Sequence, residues 1–351
     1  MATVTYGKNG LNLGPEVQAK LNYLATKYIV DQTIYDKFFT LMFPLNQKEG
    51  TRVKIRRWID MQDLVIANSV YQNAVSKGGD EYVYQPGDLI HHLTPEDFWK
   101  QFILEEGSSG NEFGKMQKIE IEADVFMIGS YMSITEETML YDPMYTLKEN
   151  ISQYSRVYAK IINGFYRDTL FNSAGHRIDS NAVGSDSATS QAIKQMSANL
   201  RISGAEYVNN IISASVKFGT VPVLSRYIGY VNPLAVNDLE QNPDWIPVEK
   251  YASGTKLLDG ERGMIGDVRV IEDFEAPVDT VNNKYKMIIT GKDHSAQIPL
   301  RGKKGAQVIV KGLGENGNDP LNRLATIGMK AHLGAKTIYP EKVGVVEFNI
   351  S

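Results

Sequence analysis

The chain has 351 residues, 42% of them hydrophobic and 22% charged, which suits two or three packed units and excludes general disorder. Its net charge of −4 lacks the strong basic excess of a dedicated nucleic-acid binder. The absence of cysteine excludes disulfides, cysteine-ligated zinc and a thiol nucleophile, and the sequence offers neither a signal-peptide pattern at its start nor an apolar run of about 18 residues to cross a membrane.

Residues 1–15 carry no periodicity and are expected to be a flexible arm. Val17, Leu21, Leu24 and Tyr28 make a helical stripe over 16–29, and Ile34, Phe38 and Leu41 repeat it weakly over 31–42. Residues 51–58 alternate Val53, Ile55 and Arg57 against Arg52, Lys54 and Arg56, a strand with a cationic side. Residues 60–115 are dense in turn signals and poor in core residues, a stretch whose length points to a functional or partner-stabilised loop. Residues 118–135 give the best strand signal. Ile119, Ile121, Ala123 and Val125 alternate with Lys118, Glu120, Glu122 and Asp124, and Gly129 marks an expected bend. A strand of that length, about three times the usual one, must leave its parent domain. Paired with 51–58 it makes an extended two-stranded arm.

One long helix is predicted over 142–172, with Asp142 as its cap and Pro143 at the first helical position. Leu147, Ile151, Tyr154, Tyr158, Ile161, Ile162, Phe165 and Leu170 form its apolar stripe. Lys148, Glu149, Gln153, Lys160, Asn163 and Arg167 form its polar side. A surface loop is expected over 176–190, then helices over 192–200 and 205–218. Residues 219–320 form a compact, turn-rich lobe. It holds strands at 225–231, 285–290 and 307–311, a short helix at 234–239 opened by Asn232-Pro233, and the segment GERGMIGDVRVIED at 260–273. The tail, 340–350, reads as a strand returning to an earlier sheet.

No catalytic chemistry is legible. Gly312-Leu313-Gly314-Glu315-Asn316-Gly317 imitates a dinucleotide fingerprint, with a strand before it and a possible helix after it. However, Asp319-Pro320 interrupts any helix, and too little chain follows for a parallel sheet, the next strand being 343–350. A loop is expected there, and a nucleotide-binding enzyme is the remote alternative. His91, His92, His176, His294 and His332 show no zinc spacing. Glu105-Glu106, Glu136-Glu137 and Asp267 are expected to be solvated acids on loops or strands. Asp293-His294-Ser295 has the letters of a hydrolytic triad, but triads are assembled in space and not by adjacency. No catalytic, cofactor-binding or metal-binding residue is assigned.

The order of parts resembles the major capsid protein of tailed bacteriophages, the Hong-Kong-97-type shell fold. Leu104-Glu105-Glu106-Gly107 resembles the L-x-E-G turn of the coat family typified by the phage N-four. Gly260-Glu261-Arg262-Gly263 with Gly266 and 268–272, and Asp319-Pro320 through Lys336, resemble two further motifs of that family. The resemblance covers roughly residues 17–350, and 60–103 is longer than the family's simple loop. It implies an α+β fold with an N-terminal arm (1–50), an extended loop and strands (51–134), a peripheral domain (135–218) around the spine helix, an axial domain (219–319) and a C-terminal return to the peripheral domain (320–351). It also implies a non-enzymatic, cofactor-free structural protein that self-assembles as pentamers and hexamers into an icosahedral shell around double-stranded DNA, without sequence-specific binding. The implied partners are other copies of the chain, a separate scaffolding protein, a portal and cement or decoration proteins, with no membrane. The implied location is the virion capsid, assembled in the bacterial host cytoplasm. An encapsulin-type compartment shell is the alternative within the same fold.

Overall fold

The computed structural model describes residues 23, 27, 33–46, 50–58, 99–100, 103–104, 106, 118–141, 143–180, 188–208, 225–251, 260–279, 281–282, 284–301, 307–313, 320–321 and 323–349. In chain order the elements are β1 (Leu41–Met42), β2 (Arg52–Trp58), β3 (Lys118–Asp124), β4 (Phe126–Thr135), α1 (Glu136–Tyr141), α2 (Pro143–Asn172), β5 (His176–Asp179), α3 (Ala188–Ile202), β6 (Tyr227–Val231), α4 (Pro233–Glu240), β7 (Trp245–Pro247), α5 (Val248–Tyr251), β8 (Glu261–Ile265), β9 (Val268–Glu272), β10 (Val278–Asp279), β11 (Lys284–Thr290), β12 (Ser295–Gln297), β13 (Gln307–Lys311), β14 (Leu324–Leu333), β15 (Ala335–Thr337) and β16 (Val343–Asn349). The chain divides into two units: Met1–Val53 with Glu122–Arg167 and Gln297–Lys336, and Lys54–Ile121 with Asp168–Ala296 and Thr337–Ser351.

The first unit is built on a three-stranded antiparallel sheet, β13-β14-β4, and the body of α2. The strand β14 was not anticipated by periodicity alone, although it alternates strictly: Ala325, Ile327, Met329, Ala331 and Leu333 are buried and their neighbours face outward. From the helix, Tyr158 donates its hydroxyl to the Ile128 carbonyl at 2.9 Å, and Phe165 meets Phe126 edge-on at 5.1 Å. Burial and the neighbouring Tyr154 push the Tyr158 phenol up to about 12.

The helix begins at Pro143 as predicted, while its proposed cap, Asp142, lies outside the described residues. Two assignments on its surface are corrected. Asn163, expected on the polar side, is buried, and its carbonyl oxygen accepts from the Ile34 and Tyr35 N–H groups at 3.0 and 3.3 Å. Ile161, expected in the stripe, is exposed. Residues 34–35 therefore dock on α2 through an amide that periodicity could only read as polar. Within 31–42, the weak helical pattern becomes a single 3-10 turn, Tyr35–Phe38, followed by β1.

The long strand expected over 118–135 is two strands. It breaks at Val125, whose N–H donates to the Thr51 carbonyl at 2.8 Å. Before the break β3 pairs with β2, as expected. After it, β4 pairs with β14. Gly129 is not a bend: it sits in unbroken register opposite Lys330, and an added Cβ there would lie 3.3 Å from the Met329 carbonyl oxygen. Glu136 and Glu137 open α1 instead of lying on a loop or strand, which places their charge at the favourable end of its dipole.

The second unit holds an eight-stranded mixed sheet in the order β5-β16-β11-β6-β9-β8-β7, with β10 on β11. The tail strand β16 does return to it, between β11 (antiparallel) and β5 (parallel). The expected surface loop over 176–190 is thus β5 and the start of α3, with 181–187 outside the described residues. The strand β6, YIGYV, is buried at every position because it lies mid-sheet with both faces covered. Ala192, Ile193, Met196 and Leu200 of α3 cover one face and join Tyr227, Val268, Val270, Met287, Ile289 and Phe348 in one core. Met196 rests where a Cβ on Gly344 would be, 2.3 Å from its sulfur. Asn232-Pro233 opens α4 as predicted, and Asn232 is its cap, its Oδ1 accepting from Leu234 N–H at 3.0 Å. The helix expected over 205–218 fails where it is described: residues 205–208 are not helical, and Val208 forms a bridge with Arg226.

Candidate functional site

The GERGMIGD segment forms the β8–β9 hairpin. Gly260 and Gly266 have φ of +79° and +56°, the left-handed region that favours glycine. At Gly263 a Cβ would lie 2.3 Å from the Trp245 ring, so its bare backbone is what lets that indole pack against β8. Asp267, expected to be a solvated acid, is a hub. It pairs with Arg201 at the end of α3 and with Arg226 at 3.2 Å, and accepts from the Tyr207 hydroxyl at 3.0 Å.

The triad letters also gain a structural role. His294 and Ser295 are buried, with Nδ1 and Oγ 2.7 Å apart. Ser295 Oγ donates to Thr337 Oγ1 at 3.1 Å, Thr337 meets Ser173 Oγ, and Ser173 donates to the Thr169 carbonyl at 2.5 Å. One donor per hydroxyl gives one consistent assignment: the proton of His294 sits on Nδ1, and the chain of hydrogen bonds ends on one of the last carbonyls of α2, which have no partner within the helix. Burial drives the imidazole pKa down to about 3, outweighing the pull of Asp293. A neutral ring sealed from solvent ties the exit of α2 to Thr337 at the end of β15. His176 is likewise buried, 2.8 Å from Ser203 Oγ. His332 lies on β14 opposite Met127, and His91 and His92 lie outside the described residues. Among the described residues no three His, Asp or Glu side chains gather as a metal site, and no helix is long and apolar enough to cross a membrane. Gly312 and Leu313 follow β13 without a helix, and 314–319 lie outside the described residues.

The feature with the character of an interaction surface is the β2–β3 ribbon. Its outer side is a ladder of exposed charge: Arg52 with Glu122 (3.5 Å) and Asp124 (2.8 Å), Arg56 with Glu120 (2.8 Å), and Lys118 over the half-exposed Trp58 ring at 4.1 Å. Pairs this exposed hold a ribbon's register but add little stability. The inner side is Ile55, Arg57 and Ala123, all buried. Arg57 meets Glu341 at 2.6 Å, both nearly excluded from water, and lies 5.0 Å from the Tyr339 ring, which Lys342 also approaches at 4.7 Å. The alternation predicted the side on which Arg57 lies, but not that the cation would be buried there.

No protein-family model matches this chain, and no curated protein does. Solved structures do. The capsid of the cyanophage P-SCSP1u aligns over 91% of this chain and 89% of its own, with a TM-score of 0.53 at 10% identity. A chain of Microbacterium phage Oxtober96 aligns over 91% of both chains with a TM-score of 0.54 at 9% identity. The capsid of Ralstonia phage GP4 aligns over 91% and 92% with a TM-score of 0.53 at 11% identity. The chain has the mixed α and β, Hong-Kong-97-type fold of tailed-phage capsid proteins.

Proposed function

We propose that this chain is the major capsid protein of a tailed bacteriophage, assembling as pentamers and hexamers into an icosahedral shell around double-stranded DNA. The observation that carries this reading is the likeness to phage capsids along nine-tenths of both chains. The ribbon supports it: its charged outer side lies exposed, and a two-stranded ribbon gains by lying on a further surface. In this reading 1–50 and 51–134 are arms that reach neighbouring subunits, 135–218 and 320–351 form the peripheral domain, and 219–319 forms the axial domain. The order of the Leu104, Gly260–Gly266 and Asp319–Lys336 motifs favours the coat family typified by the phage N-four. The partners are further copies, a separate scaffolding protein, a portal and decoration proteins. Assembly takes place in the host cytoplasm, the product is the virion, and the chain performs no catalysis. Electron microscopy of the purified chain, alone and with a scaffold from the same genome, tests this. Capsomers or closed particles are expected, and monomers alone at high concentration under both conditions overturn the reading. Particles that hold cargo enzymes in place of DNA assign the chain to an encapsulin-type compartment.

A further inference from the structure

The helices α1 and α2 carry opposite charge along their length. Residues 136–142, EETMLYD, hold three carboxylates and no cation. Arg323 takes up one of them, Glu137, at 2.5 Å, and the tip stays net negative. Residues 150–167 of α2 hold Arg156, Lys160 and Arg167 and no carboxylate. Steps of four and seven place these three cations along one side of the helix. Each segment also shows apolar side chains to solvent. Leu140 and Tyr141 are exposed at the tip, Tyr141 to 92%. Val157 and Ile161 are exposed beside the cations, Val157 to 54%, and Gly164 follows on the same face. An added Cβ on Gly164 would find nothing nearer than 3.9 Å, so the helix surface is low and open there.

The two patches cannot meet within one chain. The rod α2 is helical from Pro143 to Asn172, so at ~1.5 Å per residue Val157 lies ~20 Å along it from the tip. We infer that the α1 tip of one copy docks on the Arg156–Gly164 stripe of α2 in a second copy. Leu140 and Tyr141 pack on Val157, Ile161 and Gly164, and Glu136 and Glu137 meet Arg156 and Lys160. The Tyr141 ring beside the Arg156 guanidinium adds a cation–π contact to the ion pairs. Because the two patches differ, the contact is head-to-tail: each copy offers its tip to the next, which builds rings or larger closed assemblies and not a two-fold pair. Opposed charge sets of this kind steer one docking partner and suppress others. The apolar stripe favours a polypeptide over a nucleic-acid backbone, which presents phosphate and no apolar side chains. The inference rests on the self-association proposed above and on no particular shell geometry.

The absence of cysteine makes the test direct. Full-length Tyr141→Cys is mixed under mild oxidant with isotopically labelled full-length Ile161→Cys. Mass spectrometry then reads disulfides between labelled and unlabelled copies. A link between positions 141 and 161 is expected, while Phe274→Cys, exposed in the second unit, gives none with the same labelled chain. Adding Arg156→Glu/Lys160→Glu to the labelled chain abolishes the link, and adding Glu136→Lys/Glu137→Lys to the unlabelled one restores it. Only chains that keep the parent's thermal transition are scored. Where the reversal lowers that transition, Arg156→Gln/Lys160→Gln replaces it, and loss of the link is again expected. An equal link from Phe274→Cys, or a link indifferent to these charge changes, overturns the contact. Particles without the link overturn it and leave the shell reading standing. The link without particles upholds the contact and overturns the shell reading, and neither overturns both. Saturable binding of a short DNA duplex that Arg156→Glu/Lys160→Glu abolishes, with no inter-copy link, assigns the stripe to nucleic acid and also overturns it.

Discussion

At the scale of single residues, two glycines make opposite predictions. Gly164 sits inside α2, where an added Cβ would find its nearest neighbour, an Arg167 guanidinium nitrogen, at 3.9 Å. Gly164→Ala is expected to stabilise by about 0.5–1 kcal/mol, since it removes unfolded-state freedom without a clash. Gly175 lies where the chain leaves α2, and its N–H donates to Pro340 and Val343 carbonyls at 2.9 and 3.1 Å. A Cβ there would lie 2.6 Å from the Pro340 oxygen, and backbone cannot swing aside as a side-chain tip can. Gly175→Ala is expected to cost about 1–3 kcal/mol. Urea unfolding of both variants checks the pair. His294 makes a pH prediction. Its folded pKa, near 3, lies below the unfolded value of 6.5, so the unfolded chain binds the extra proton between them. The His294 contribution is therefore complete above about pH 6.5 and is lost as pH falls toward 3, at up to about 1.4 kcal/mol per unit. Comparing His294→Asn with the parent in urea from pH 7 to 4 should show a shallower loss in the variant, and parallel slopes would refute the assignment.

At the scale of elements, β2 is held by one buried ion pair. Arg57 and Glu341 have side chains only 7% and 13% exposed, so removing one partner leaves a charge in poor solvent. Arg57→Ala or Glu341→Ala is expected to destabilise by about 3–5 kcal/mol, and Arg57→Met/Glu341→Leu by clearly less than the two single changes combined. A double-mutant cycle measures this, and strict additivity would show that the pair does not act as a unit. The same elements show where periodicity serves and where it does not. The alternation of β2 and β3 and the stripe of α2 were readable because one face of each is apolar. The break at Val125 was not, since the apolar run Val125-Phe126-Met127-Ile128 carries across it and only the change of partner, from β2 to β14, ends one strand and begins the next. His176–Asp179 was read as loop because a four-residue parallel strand with one buried end carries almost no pattern of its own.

At the scale of the whole molecule, the ribbon is the part that the fold alone does not explain, because it has a charged outer side and only one narrow inner side to bury. Deleting residues 65–110 is expected to leave both folded units intact, with an unchanged cooperative thermal transition, while closed particles are lost. Normal particles from that variant would remove the 65–110 part of the arm from assembly. By itself the sequence determined composition-level facts, the long helix from Pro143, the short helix opened by Asn232-Pro233, the β2–β3 pairing, the returning tail and, through the order of its parts, the shell-type fold. These depend on local spacing or local conformation, which the chain carries in every environment. Tertiary structure alone decided that Asn163 faces inward, that Asp267 and His294 are structural, that Arg57 is buried against Glu341, and that three strands far apart in sequence share one sheet. Each of these depends on a partner more than 20 residues away along the chain, and no local period records the identity of a distant neighbour.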